Sequence, residues 1–152
     1  MLEEIEKEEF ELALPEINQG ILLELGLQIA RQAIEEKLPI CLDIHLGEIC
    51  AFHFCAEGST PNTENWVRRK RQAVDFFGHS TAWLNEKIQG DAALLVSKYG
   101  LKDGEYTCVP GGYPLLLKGF GKVGTMAVSG LSPEKDQSLI TQALRSVIQL
   151  YN

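Results

Sequence analysis

Two β-rich runs, residues 39–46 and 49–55, are separated only by Gly47 and Glu48. A two-residue connection can join only antiparallel neighbours, because a parallel crossover needs a dozen or more residues. Glycine at the first turn position suits a type II′ hairpin, which sets Leu46 opposite Ile49 and His45 opposite Cys50. Alternation then places Ile40, Leu42, Ile44 and Leu46 on one face, with Cys41, Asp43 and His45 on the other. The first face requires an apolar cover.

Helical stripes supply that cover. Residues 16–37 carry Ile17, Ile21, Leu22, Leu25, Ile29, Ala33 and Ile34 at helical spacing, ended by Leu38-Pro39. A last helix opens with Ser132 as N-cap and Pro133 at its first position, and shows Leu139, Ile140, Ala143, Leu144, Val147 and Ile148 on one side. Between them, a polar loop leads through Pro61 into a helix reaching about Phe77, followed by shorter helical pieces near 80–88 and 92–99. Strand-like runs at 106–109, 115–118 and 123–129 follow, punctuated by glycines at 111, 112, 119, 121 and 124. The expectation is one α/β (α+β) domain over 1–152, with helices on the faces of a five-stranded, mainly antiparallel sheet. The acidic segment 1–15 is free either to fray or to dock on a neighbour.

Composition narrows the function classes. A chain of 152 residues can bury a single core, and 45% hydrophobic with 23% charged residues is globular rather than disordered. A net charge of -7 and a pI near 5.0 argue against nucleic acid and anionic lipid as partners. No apolar run is long enough to span a membrane and the N-terminus has no leader character, so the expected location is cytoplasmic. Cys41, Cys50, Cys55 and Cys108 form no C-x-x-C pair; they are expected as free thiols, with no metal site.

The segment Asn65-Trp66-Val67-Arg68-Arg69-Lys70-Arg71 carries the main candidate. Lys70 falls roughly 40° from Trp66 around the helix, inside the apolar stripe, whereas Arg68, Arg69 and Arg71 face elsewhere as surface charge. An ammonium in a stripe must be paired, must snorkel to water, or must reach a pocket. Val109-Pro110-Gly111-Gly112-Tyr113-Pro114 and Ser129-Gly130 before the Ser132 cap are bends whose N–H groups could face an anion, or simply strand connections. Asp136 sits in the first turn of the last helix, where a carboxylate suits the dipole. Ser80, after His79, reads as an N-cap before a ligand contact. Asp43, His45 and Cys50 share a face, but hydrogen bonding accounts for them more simply than a metal.

In order and spacing, Asn65-Trp66-Val67-Arg68-Arg69-Lys70, His79-Ser80, Gly111-Gly112-Tyr113-Pro114, and Val123-Gly124 through Val128-Ser129-Gly130-Leu131 with Asp136 resemble the haem-degrading-domain (GlcG/HbpS-like) family. The resemblance runs from about Leu25 to the C-terminus. It implies a profilin-like three-layer α/β/α fold and a homo-oligomer built from dimers, and, since some relatives bind haem, haem as a possible ligand; Lys70 itself points to a small anionic molecule. That branch usually shows Asp-His where this chain has Asp136-Gln137, and places Asp-Asn in the stretch before Trp66 that here reads Pro61-Asn62-Thr63-Glu64-Asn65. The leading expectation is a small-molecule-binding protein using Lys70, Ser80, Gly111, Gly112, Tyr113, Ser129 and Gly130. Two alternatives stand beside it: an enzyme with Lys70 and Asp136 as its polar groups, and a protein-interaction scaffold.

Overall fold

The structure, a computed structural model, describes residues 1–151. Four strands form one antiparallel sheet in the order β2-β1-β4-β3: β1 Cys41–Leu46, β2 Ile49–Cys55, β3 Gly112–Leu117 and β4 Gly121–Ser129. The pairs beside the turn are as expected, with Leu46 opposite Ile49 and His45 opposite Cys50, and Gly47 takes φ +58; an irregularity between Ile44 and His45 then shifts the ladder by one residue, setting Cys41 opposite Cys55.

The expected fifth strand, 106–109, is absent. Its carbonyls are taken by side chains instead of a strand neighbour: Arg69 donates to Tyr106 O, Asn85 to Cys108 O, and Gln72 to the preceding Glu105 O. Three polar side chains on helices satisfy the segment before a ladder can, so it stays irregular.

Helices cover both faces. Helix α2 (Gln19–Glu36) is capped by Asn18, which accepts from Ile21 N, and ends at Lys37 in the left-handed region. Together with α6 (Pro133–Leu150) it buries most of the expected stripes against Leu42, Ile44, Met126 and Val128, whereas Ile34 near the α2 end is exposed. Each such aliphatic side chain contributes roughly 1.5–3 kcal/mol by burial. On the other face lies α3 (Pro61–Phe77), begun by a reciprocal Thr60–Thr63 cap with Pro61 at its start. Val67 of α3 packs on Cys41 and Ala127. Two short helices, α4 (Thr81–Lys87) and α5 (Leu94–Ser97), extend that layer.

The acidic N-terminus docks. Residues Leu2–Glu11 form α1, and buried Glu9 accepts from Ser80 N (2.9 Å) and lies 2.7 Å from His79 Nδ1. Glu6 accepts from the Trp83 indole N–H and Glu8 from the Tyr113 hydroxyl. Its charges face groups on α4 and β3, which explains why so polar a helix stays folded. Among the described residues, no helix is long and apolar enough to cross a membrane.

Candidate functional site

Helix α3 buries Val67, Lys70, Ala73 and Val74, so its inward stripe includes the lysine. Lys70 is 2% exposed. Its ammonium donates to Val128 O at the end of β4 (2.9 Å) and to Asp136 Oδ2 in the first turn of α6 (3.1 Å). Asp136, also 2% exposed, uses its other oxygen to accept from Leu131 N (3.0 Å). One carboxylate thus ties the β4–α6 connection to α3. Burial pushes the Lys70 pKa down and the Asp136 pKa up, and each charge partly offsets the effect on the other.

Glycine is required beside this pair. Gly111 has φ +128, and a Cβ there would come 2.6 Å from Lys70 Nζ and 2.6 Å from Val128 O. The adjacent Gly112 lets β3 approach α3, since a Cβ would lie 3.0 Å from Lys70 O and 2.9 Å from Val74 Cγ2. Gly112 N donates to Thr81 Oγ1 (2.9 Å), so this amide is used internally rather than offered to an anion.

The pair forms the floor of an open cleft of about 380 Å³ between α3 and the β4–α6 connection. Trp66 lines one wall, one turn above Lys70, with Asn62 and Thr63 at the rim. Ser129, Gly130 and Leu131 line the other wall. The Arg69 guanidinium lies 4.1 Å from the Trp66 ring centroid and stiffens the indole. A larger hollow of about 510 Å³ lies between the α2 end and the loop after β2, around Ala33, Ile34, Pro39 and Gly58. Its walls converge no buried ionisable groups. The smaller cleft, with two, is the candidate site.

Lys70, Asp136, Ser129 and Gly130 are therefore brought together, with Gly111 against the ammonium. Three expected ligand residues are elsewhere. Ser80 is fully buried as the N-cap of α4, accepting from Trp83 N. Tyr113 is buried with its hydroxyl directed at Glu8, and Gly112 packs on Thr81. Nor are the three arginines simple surface charge: Arg68 pairs with Glu105, Arg71 with buried Asp43, and Arg69 stacks on Trp66. The cleft residues that sequence reasoning missed are Asn62, Thr63, Val109 and Leu131, together with Trp66. Its spacing of four from Lys70 was the available signal.

The residues present do not fit an axially ligated haem. The cleft lining has no histidine, methionine, cysteine or tyrosine, and its two charges neutralise each other. His79 stacks on Trp83 and pairs with Glu9 instead.

Comparison with known proteins gives consistent matches. A UPF0303 protein of Sinorhizobium medicae is 35% identical over 124 residues, covering 82% of this chain and 76% of its own. The crystal structure of the Ybr137w protein superimposes with a TM-score of 0.89 at 24% identity, over 99% of this chain and 89% of that one. A PduOC–haem complex follows with a TM-score of 0.71 at 20% identity, covering 86% and 94%. The two structures show a shared fold. The family model for haem degrading protein HbpS-like matches residues 17–145, and the chain belongs to that family.

Proposed function

We propose that the domain binds a small anionic molecule in the cleft between α3 and the β4–α6 connection. One observation carries this: a lysine–aspartate pair, each side chain 2% exposed, forms the floor of an opening large enough for a metabolite. A carboxylate or phosphate entering the cleft competes with Asp136 for the Lys70 ammonium. Burial favours protonated Asp136, so the displaced side chain takes up a proton rather than remaining an isolated anion. Trp66 supplies a flat wall for an unsaturated or ring-bearing ligand.

The haem-bound PduOC structure makes tetrapyrroles a natural probe. With no axial ligand in the cleft, haem here would rest on stacking against Trp66 and on its propionates. The lowered Lys70 pKa supports a second reading, in which Lys70 acts as an acid or base with Asp136 as its partner. The homo-oligomer built from dimers that the resemblance implies is part of this proposal.

The test is ligand-induced thermal stabilisation against small carboxylates and phosphates, with haemin followed by its Soret band. Trp66→Ala and Asn62→Ala are expected to weaken binding at least tenfold, and Ile34→Ser, in the larger hollow, to leave it unchanged. The reverse pattern would remove the cleft from consideration.

A further inference from the structure

On the face of the hairpin beneath α3, four donor groups converge at one end. Cys41 and Cys55 are directly opposed in the β1–β2 ladder. Their sulfurs and a Glu64 carboxylate oxygen from the first turn of α3 all lie within 4.8 Å of one another. Cys55 Sγ donates to Glu64 Oε1 (3.0 Å). His53 Nε2 lies 2.8 Å from the same oxygen and 3.6 Å from Cys55 Sγ. The other imidazole nitrogen, Nδ1, is 3.3 Å from Asp43 Oδ1, whose carboxylate is also held by Arg71.

We propose that Cys41, Cys55, Glu64 and His53 form a binding site for a divalent ion of the zinc class. Two thiolates, an imidazole and a carboxylate match zinc's preferred donors and its four-coordinate number. At zinc–donor lengths of about 2.0–2.3 Å, a tetrahedron spaces its donors roughly 3.4–3.8 Å apart; the 3.6 Å between Cys55 Sγ and His53 Nε2 already meets this, and closure brings Cys41 Sγ and the imidazole toward one another. Asp43 adds the outer carboxylate that fixes a metal-binding imidazole through its second nitrogen. The spacing 41–55, with the other donors on different turns of chain, contains no familiar zinc signature, which is why cysteine counting pointed to no metal. Strand pairing creates the site.

A disulfide between the two cysteines would leave the convergence of Glu64 and His53 without a purpose. Binding replaces two thiol protons, released to solvent, with one dication; Glu64 contributes its anionic oxygen and His53 the lone pair on Nε2. Four protein donors leave no open coordination position, so the ion's role is structural: it fastens the edge strand β2 to the start of α3. This inference is independent of the cleft.

The experiment titrates the reduced full-length chain with Co²⁺, then displaces it with Zn²⁺. One equivalent of Co²⁺ with thiolate charge-transfer bands and tetrahedral ligand-field bands is expected, with release of about two protons per ion as the paired thiols ionise. Cys55→Ser, at an exposed position, and Glu64→Gln, at a half-buried one, should weaken binding at least tenfold, whereas Cys108→Ala should not. Far-ultraviolet circular dichroism identifies any variant that has lost its fold, and Glu64→Gln then carries the test because it leaves both sulfurs in place. Absence of the charge-transfer band in folded, reduced protein overturns the proposal. So does binding unaffected by Cys55→Ser, or binding abolished instead by Cys50→Ser, which would move the ion to Asp43, His45 and Cys50.

Discussion

Replacing Lys70 by methionine keeps the length of the side chain and removes its charge, leaving Asp136 without its cation. Both groups are 2% exposed, and among the described residues no other ionic side chain lies within ion-pair distance of either. Removing one member of a buried pair costs roughly 3–5 kcal/mol, because the survivor remains desolvated and unpaired. With a urea m-value of about 2 kcal/mol per M, the unfolding midpoint should fall by on the order of 2 M. The pH dependence separates this from mere loss of packing. In Lys70→Met, the pKa of Asp136 lies further above its unfolded value of about 3.9, so the variant is most stable below that pH and loses stability as pH rises. In Asp136→Asn, the pKa of Lys70 lies further below its unfolded value of about 10.4, so stability falls as pH drops through the folded pKa. The two single variants should therefore slope in opposite directions. The double variant recovers at least about 2 kcal/mol relative to the sum of the single losses, since asparagine still accepts from Leu131 N and no lone charge remains. Urea unfolding of all four proteins between pH 5 and pH 9 measures this. Parallel pH slopes, or a single-variant loss below about 1 kcal/mol, would refute a desolvated pair.

Gly111→Ala should destabilise by about 3 kcal/mol in chemical denaturation, combining left-handed backbone strain with a Cβ driven against the Lys70 amine. Glu9→Ala, which orphans Ser80 N and releases His79, should cost about 2 kcal/mol and raise amide exchange throughout α1, read by hydrogen exchange. Affinity for a small carboxylate or phosphate in the cleft should increase as pH is lowered, with net proton uptake detected by calorimetry in buffers of different ionisation heat. Zinc chelation should lower the melting temperature of wild-type protein but not that of Cys55→Ser.

The sequence made local structure legible wherever the signal was local. The Gly47-Glu48 turn, the Ser132-Pro133 helix start and the alternation of 40–46 are short-range features, and the structure reproduces each. Lys70 could be placed in an apolar stripe because helical spacing fixes azimuth. Its partner could not be fixed that way: Asp136 lies 66 residues away, and only the strand order brings the two together. The missing fifth strand has a similar cause. Residues 106–109 have β-forming composition, yet side chains from α3 and α4 take their carbonyls, and no window of sequence contains both parties. Ser80 and Tyr113 were assigned to the pocket because of their neighbours along the chain, whereas alternation and capping send both away from it.

Helix α3 serves several sites through one rigid body. Between Pro61 and Phe77 it presents Glu64 to the sulfur pair, Trp66 and Lys70 to the cleft, Arg71 to Asp43, and Arg68, Arg69 and Gln72 to the strandless segment before β3. These tasks cannot be adjusted one at a time: a rotation of a few degrees about its axis would disturb all of them together. Substitution scans along this rod should show losses that rise and fall in concert at distant positions, and a change that improves one contact will be felt as slack at another.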